Sequence, residues 1–135
     1  MSAKSNDRWA WVLSAILVYV FLAAAVVKLA GSRLMVEEFR AFGYPPGLRY
    51  AIAGVEIAGA MLLLLRKTAP YAAALLGTVM IGAAISHLVA RETLKASIPV
   101  AVLVLLGVVG RIRWRERGRR QATGRDSSPA SRPTP

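Results

Sequence analysis

The 135-residue chain has no cysteine and a single histidine. Without thiols it can build no disulfide framework, carry no thiol redox couple and hold no iron–sulfur cluster through cysteine. With one histidine and no metal-spaced group of His, Cys and carboxylate side chains, no metal site is expected. A glycine-rich phosphate loop and a Ser/His/Asp arrangement are also missing, so the pattern identifies no catalytic residue and no evident cofactor site. Acidic residues are scarce as well: 7 Asp+Glu stand against 18 Lys+Arg, a net charge of +11.

What the chain does have is apolar residues, 56% of the total, and they are segregated from the charges. Trp9–Ala30 carries one charge, Lys28, and is long enough to cross a hydrocarbon core of about 30 Å at about 1.5 Å per residue. Gly31-Ser32 stops it. Leu48–Leu65 follows Tyr44-Pro45-Pro46-Gly47 and contains Arg49 at its start and Glu56 inside. Pro70–Ala90 holds no charge unless His87 is protonated, and Ser97–Ile112 opens with a capping serine and Pro99 in its first turn. No run alternates with period two. The expected fold is therefore all-α: a four-helix transmembrane bundle with spans at about 9–30, 48–65, 70–90 and 97–112. The membrane domain covers 9–114, between a short N-terminal segment (1–8) and a disordered basic tail (115–135), whose Ser- and Pro-rich end cannot bury enough surface to fold. A cleaved signal peptide is the rival reading of the first run, but its apolar stretch is too long and continues past Ala23-Ala24-Ala25.

Lys and Arg orient the spans. The N-terminus, the second-to-third connection and the tail share 12 basic residues, and the opposite side has 5. Both termini are expected to be cytoplasmic. The outward loop is the only long connection, and its middle, Leu34–Phe42, suits a short amphipathic segment lying on the membrane. The run RIRWRERGRR begins where the fourth span ends. Arg111, Arg113, Arg115, Arg117, Arg119 and Arg120 are expected to stop translocation and to contact anionic lipid head groups, at about 1 kcal/mol per basic residue near the surface. Trp114 fits an interfacial belt, and a nucleic-acid partner is not expected.

Small residues let helices approach in lipid. Ala74, Thr78, Gly82, Ser86 and Ala90 recur every four residues, and Gly54/Ala58 and Val55/Gly59 do the same in the second run. Tight helix contacts are expected there, and a homo-oligomer could use one of these faces.

Lys28, Glu56 and His87 fall in the outward half of the spans, and Glu56 lies roughly 12 Å deep at about 1.5 Å per residue. A charge inside a bilayer costs at least about 2.5–3.5 kcal/mol on insertion scales, so it points to a partner or a cavity. Each of the three sits beside small residues, on faces suited to meeting other helices. The candidate site is a polar cluster of Lys28 and Glu56 with His87 and Arg91 nearby. A snorkelling Lys28 and an interfacial His87 remain the plain alternatives.

AAAVVKLAG at the end of the first run, FRAFGYPP in the loop, GVEIAG in the second run and an Ala/Gly-rich third run with a methionine together resemble the DoxX-like family of small four-helix membrane proteins. The resemblance covers about Val18 to Gly107, and the family's recurring polar positions correspond to Lys28, Glu56 and His87. It implies a non-catalytic or accessory subunit of a quinone-linked oxidoreductase system, since the family takes its name from a subunit of a thiosulfate:quinone oxidoreductase. The polar cluster would then bind a quinone head group, a lipid or a partner helix, with a quinone the cofactor and a redox enzyme the partner that the resemblance implies. The second reading is a membrane assembly factor or scaffold without a small-molecule ligand. A small-solute or proton carrier ranks last, because the inward half offers no ionisable path.

Overall fold

The computed structural model describes residues 3–126, with side chains from 8 to 123, and contains helices and no strand among them. The described residues form five helices rather than the four expected: α1 (Ala3–Leu29), α2 (Arg33–Ala41), α3 (Leu48–Leu64), α4 (Ala69–Val89) and α5 (Thr93–Asp126). The additional one is the amphipathic segment of the long loop. Ser32 caps it, its Oγ accepting from the Met35 N–H at 3.4 Å. Gly43, at φ +74°, ends it with two backbone bonds, Tyr44 N–H to the Phe39 carbonyl and Gly43 N–H to that of Arg40, each 3.0 Å.

α1, α4 and α5 are long and apolar enough to cross a membrane. α3, at 17 residues, is about 25 Å long and falls short of a full hydrocarbon core. The four longer helices pack in cyclic order, α1 on α3, α3 on α4, α4 on α5 and α5 on α1. Contacts at the helix ends show neighbours running antiparallel: Arg49 at the start of α3 reaches Lys28 at the end of α1, and Tyr71 at the start of α4 meets Arg117 on the far part of α5. Leu17, Leu63, Leu76 and Leu106 fill the core in the half nearer Arg66, and Phe21 continues it to the other half. Large apolar side chains such as Tyr19, Val26, Ile85, Leu88 and Val104 point outward, as lipid-facing residues do.

Three expectations need correction. Helix α5 starts at Thr93, so Pro99 lies inside it, and Ser97 donates to the Leu94 carbonyl at 2.6 Å instead of capping. It also runs on to Asp126, so residues 115–126 are helical rather than disordered. Arg, Glu, Gln and Ala sustain a helix well, Glu116 accepts from Arg113 one turn back, and Thr123 bonds the Arg119 carbonyl. The tail beyond, 127–135, lies outside the described residues.

The third concerns close packing. Ala74, Thr78, Gly82, Gly54 and Ala58 are exposed, and only Ser86 and Gly59 of the expected packing residues are buried. Ala74 and Thr78 line an open groove between α4 and α5, and Gly82 opens into an internal cavity. The true close approaches come from Gly59, Gly77 and Gly110. A Cβ on Gly59 would lie 2.6 Å from Leu76 Cδ2, one on Gly77 3.3 Å from Leu103, and one on Gly110 3.2 Å from Ala73 Cβ. Gly59→Ala should overpack the α3–α4 contact and destabilise the protein by about 1–3 kcal/mol, seen as a lower unfolding temperature in detergent. Gly54→Ala, with open space around it, should not lower that temperature.

Candidate functional site

Lys28 and Glu56 are brought together from α1 and α3. Lys28 Nζ donates to both carboxylate oxygens of Glu56, each at 2.9 Å. Glu56 is 1% exposed and the Lys28 side chain 13%. A carboxylate so deep survives only with a cation against it, and α3's small residues, Ala53, Gly59 and Ala60, allow α1 to come close enough to supply one. The lysine is anchored in turn. Arg49 Nη1 donates to the Lys28 carbonyl at 2.7 Å, and its guanidinium lies 4.2 Å over the Tyr50 ring. Gly31, at φ +64°, lets Arg49 in, because a Cβ there would sit 2.9 Å from Nη1.

The ion pair forms part of the wall of a partly open cavity of about 410 Å³ lined by residues of all five helices. Phe21, Ala24, Ile52, Met80, Ala83 and Val102 give it a mostly apolar lining. Pro99 also lines it, and having no N–H it cannot bond the carbonyl four residues back. Polar groups enter on one side. Tyr44 OH and Ser86 Oγ are 2.7 Å apart, and Ser86 Oγ is 2.8 Å from the Gly82 carbonyl, to which it donates. Tyr44 therefore donates to Ser86. The glycine turn after α2 aims Tyr44 inward, where its ring stacks edge-on against Phe39 and Phe42.

His87 lines the same cavity but does not join the ion pair. Its Nδ1 is 3.0 Å from Glu92 Oε2, and its ring lies edge-on to Phe42 at 5.1 Å. Glu92 also accepts from Lys95 at 2.8 Å, and Lys95 reaches Glu38 of α2 at 3.4 Å. Hydrogen bonds from Lys95 and then from His87 hold the Glu92 carboxyl below the usual carboxylate range. Being ionised it only accepts, so His87 Nδ1 carries the proton of that bond. Glu38, His87, Glu92 and Lys95 thus form a clasp tying α2 to the α4–α5 end of the cavity.

Arg91 departs from the expected cluster. It is exposed, does not line the cavity and adopts φ +60° as the left-handed residue of a helix-ending turn. The bonds Glu92 N–H to His87 O (2.8 Å) and Arg91 N–H to Leu88 O (3.0 Å) complete that turn. It presents Glu92, not Arg91, to His87.

Sequence reasoning passed over Tyr44, Glu38, Glu92, Lys95 and Arg49 as site residues. Their signal was weak because each lies at or near a helix end, where a charge or hydroxyl is ordinarily solvated. The fold also brings ligand atoms of Glu38, His87 and Glu92 within 4.8 Å of one another, although the sequence offered no metal spacing. Lys95 already supplies a cation to both carboxylates.

A helical fold with three apolar helices of spanning length, and a charged pair buried between one of them and α3, is that of an integral membrane protein. The DoxX-like family model matches residues 12–109, and the chain belongs to that family. No curated protein and no solved structure matches it.

Removing one partner of the ion pair should cost about 3–5 kcal/mol by stranding a buried charge. Lys28→Met or Glu56→Leu alone should lower the unfolding temperature clearly, and the double variant should recover much of the loss; additive losses would contradict the pairing. The clasp should be pH-dependent. With Glu92 held below its ordinary value, its contribution is full above the ordinary carboxylate pKa and is lost as pH falls through the depressed one. A melting-temperature series in acid should therefore show a loss in the native protein that is smaller in Glu92→Gln.

Proposed function

We propose that this protein is a non-catalytic accessory subunit of a quinone-linked oxidoreductase system in a bacterial cytoplasmic membrane, with both termini cytoplasmic, α3 as the fourth membrane segment and the cavity opening outward. The observation that carries the reading is the cavity. Its volume of about 410 Å³ is within the range of small-molecule sites, and it combines apolar walls with a few convergent polar groups. That chemistry suits a ligand with an apolar body and a hydrogen-bonding head. Lys28 spends two N–H donors on Glu56 and has a third to give, which a ring carbonyl can accept. The side chains that line the site bind, orient and hold protons. The link to a quinone and to a redox-enzyme partner comes from the DoxX-like resemblance.

The alternative, an assembly factor or scaffold, draws on a different observation. The open groove between α4 and α5, about 680 Å³ and lined by Ala74, Gly77, Thr78, Gly107 and Gly110, has the small-residue surface that a partner or second-copy helix can approach closely. Transport fits less well, because the apolar core of Leu17, Leu63, Leu76 and Leu106 fills the other half of the helices.

The test is quinone retained by the full chain purified in mild detergent, quantified after extraction, alongside titration with a short-chain quinone. Gly82→Leu should fill the cavity without touching the ion pair, since nothing stands within 4 Å of a Cβ there. Bound quinone in the native protein and at least about tenfold weaker binding in Gly82→Leu is the expected result. Absence of quinone binding, or binding indifferent to Gly82→Leu, would defeat the quinone reading; capture of a protein partner through the α4–α5 groove would then favour the scaffold.

A further inference from the structure

Apart from the buried ion pair, the fold gathers a second set of ionisable groups from three elements. Glu38 comes from α2, His87 from the last turn of α4, and Glu92 from the turn that leads into α5. One nitrogen or oxygen atom of each lies within 4.8 Å of the other two. His87 Nδ1 and Glu92 Oε2 are 3.0 Å apart, roughly the separation of neighbouring donors on one ion whose bonds are about 2.0–2.2 Å. Sequence spacing hides the group, because Glu38 is far from the others and the left-handed Arg91 is what swings Glu92 back toward His87.

The charge balance favours a cation here. Among the described residues, the two carboxylates share one ammonium, that of Lys95, and a neutral imidazole adds no charge. Glu38 is the less well served of the two. Its side chain is 16% exposed, and its one ion pair among the described residues is the 3.4 Å contact with Lys95. Lys95 itself is 51% exposed on a flexible stem, and ion pairs of that kind are weakly held. The three donor side chains are thus more firmly placed than the cation between them. Lys95 can turn out to solvent without stranding a carboxylate when an ion of charge two takes its place.

The donor set selects the ion. One imidazole nitrogen and two carboxylates suit a divalent first-row metal such as zinc or manganese, whereas calcium requires a larger set made of oxygens alone. The His87 ring need only carry its proton on Nε2, so that Nδ1 presents a lone pair; the ring stays neutral throughout. Glu38 and His87 also line the apolar cavity, so the ion would lie at its edge. It would also fix α2, whose nine residues are too few to make a stable helix without tertiary support.

We propose that Glu38, His87 and Glu92 form a binding site for a divalent transition-metal ion, which displaces Lys95 and fastens α2 to the turn between α4 and α5. The proposal does not rest on the quinone reading, since these ligands bind the ion whether or not the cavity is filled.

The test uses the full chain without an affinity tag, in mild detergent, freed of metal by a chelator and titrated with Zn²⁺ alone by calorimetry. One Zn²⁺ per chain should bind, and saturation should raise the unfolding temperature. His87→Ala and Glu38→Gln should each weaken binding at least tenfold, while Glu37→Gln, an exposed acid beside Glu38, should change it less than twofold. Lys95→Met removes the competing ammonium and should tighten binding at least threefold, a gain that misfolding cannot produce. Absence of saturable Zn²⁺ binding, binding indifferent to His87→Ala, or Lys95→Met binding no more tightly than the native chain would overturn the site.

Discussion

Glu56 buries a carboxylate between two packed helices, and the Lys28 ammonium, 2.9 Å from both of its oxygens, makes that position tenable. Much of the surrounding structure follows from this need. α1 must lie close to α3, which requires small residues on α3. Lys28 must be kept from swinging out to the interface, as a lysine near a helix end ordinarily does. Arg49 does this by gripping the Lys28 carbonyl, and Gly31 leaves room for it. A pair assembled at such cost is also a polar surface inside an apolar cavity, which gives the site its chemistry.

The molecule carries two chemically opposed sites at its two ends. One is apolar with a neutralised ion pair, covered by an amphipathic helix that a chain of ion pairs and hydrogen bonds ties down. The other is densely cationic and lies beside an aromatic pair. Between them the leucine-rich core closes the helices. The first, by its lining, suits a hydrophobic molecule with a polar head.

Small residues illustrate how helix faces can mislead. A four-residue repeat from Ala74 to Ala90 looks like a contact ridge, yet Ala74 and Thr78 line an open groove and Gly82 and Ser86 a cavity, while single glycines at 59, 77 and 110 make close helix approaches. Removing side chains from a ridge creates space, and whether a neighbouring helix fills it depends on how both helices are rotated. The arginine run shows the same principle in reverse. Its members look equivalent in sequence, but the helix sends Arg113 inward and its neighbours outward, because residues two apart on a helix face opposite ways.

Hydrophobic run length, the turn residues and the lopsided arginines determined by themselves that the chain is helical, that it belongs in a membrane and that Lys28 and Glu56 are out of place there unless partnered. The family motifs were equally legible, since they are strings of neighbouring residues. Only the tertiary structure decided that Lys28 and Glu56 meet, that His87 instead joins Glu92 and Lys95, that Arg91 merely turns the chain, and that Tyr44 reaches Ser86 across 42 positions of sequence. The reason is geometric. Periodicity describes one helix at a time, whereas a site made from several helices depends on their rotations and on the turns at their ends, where a single left-handed residue decides which side chain points in.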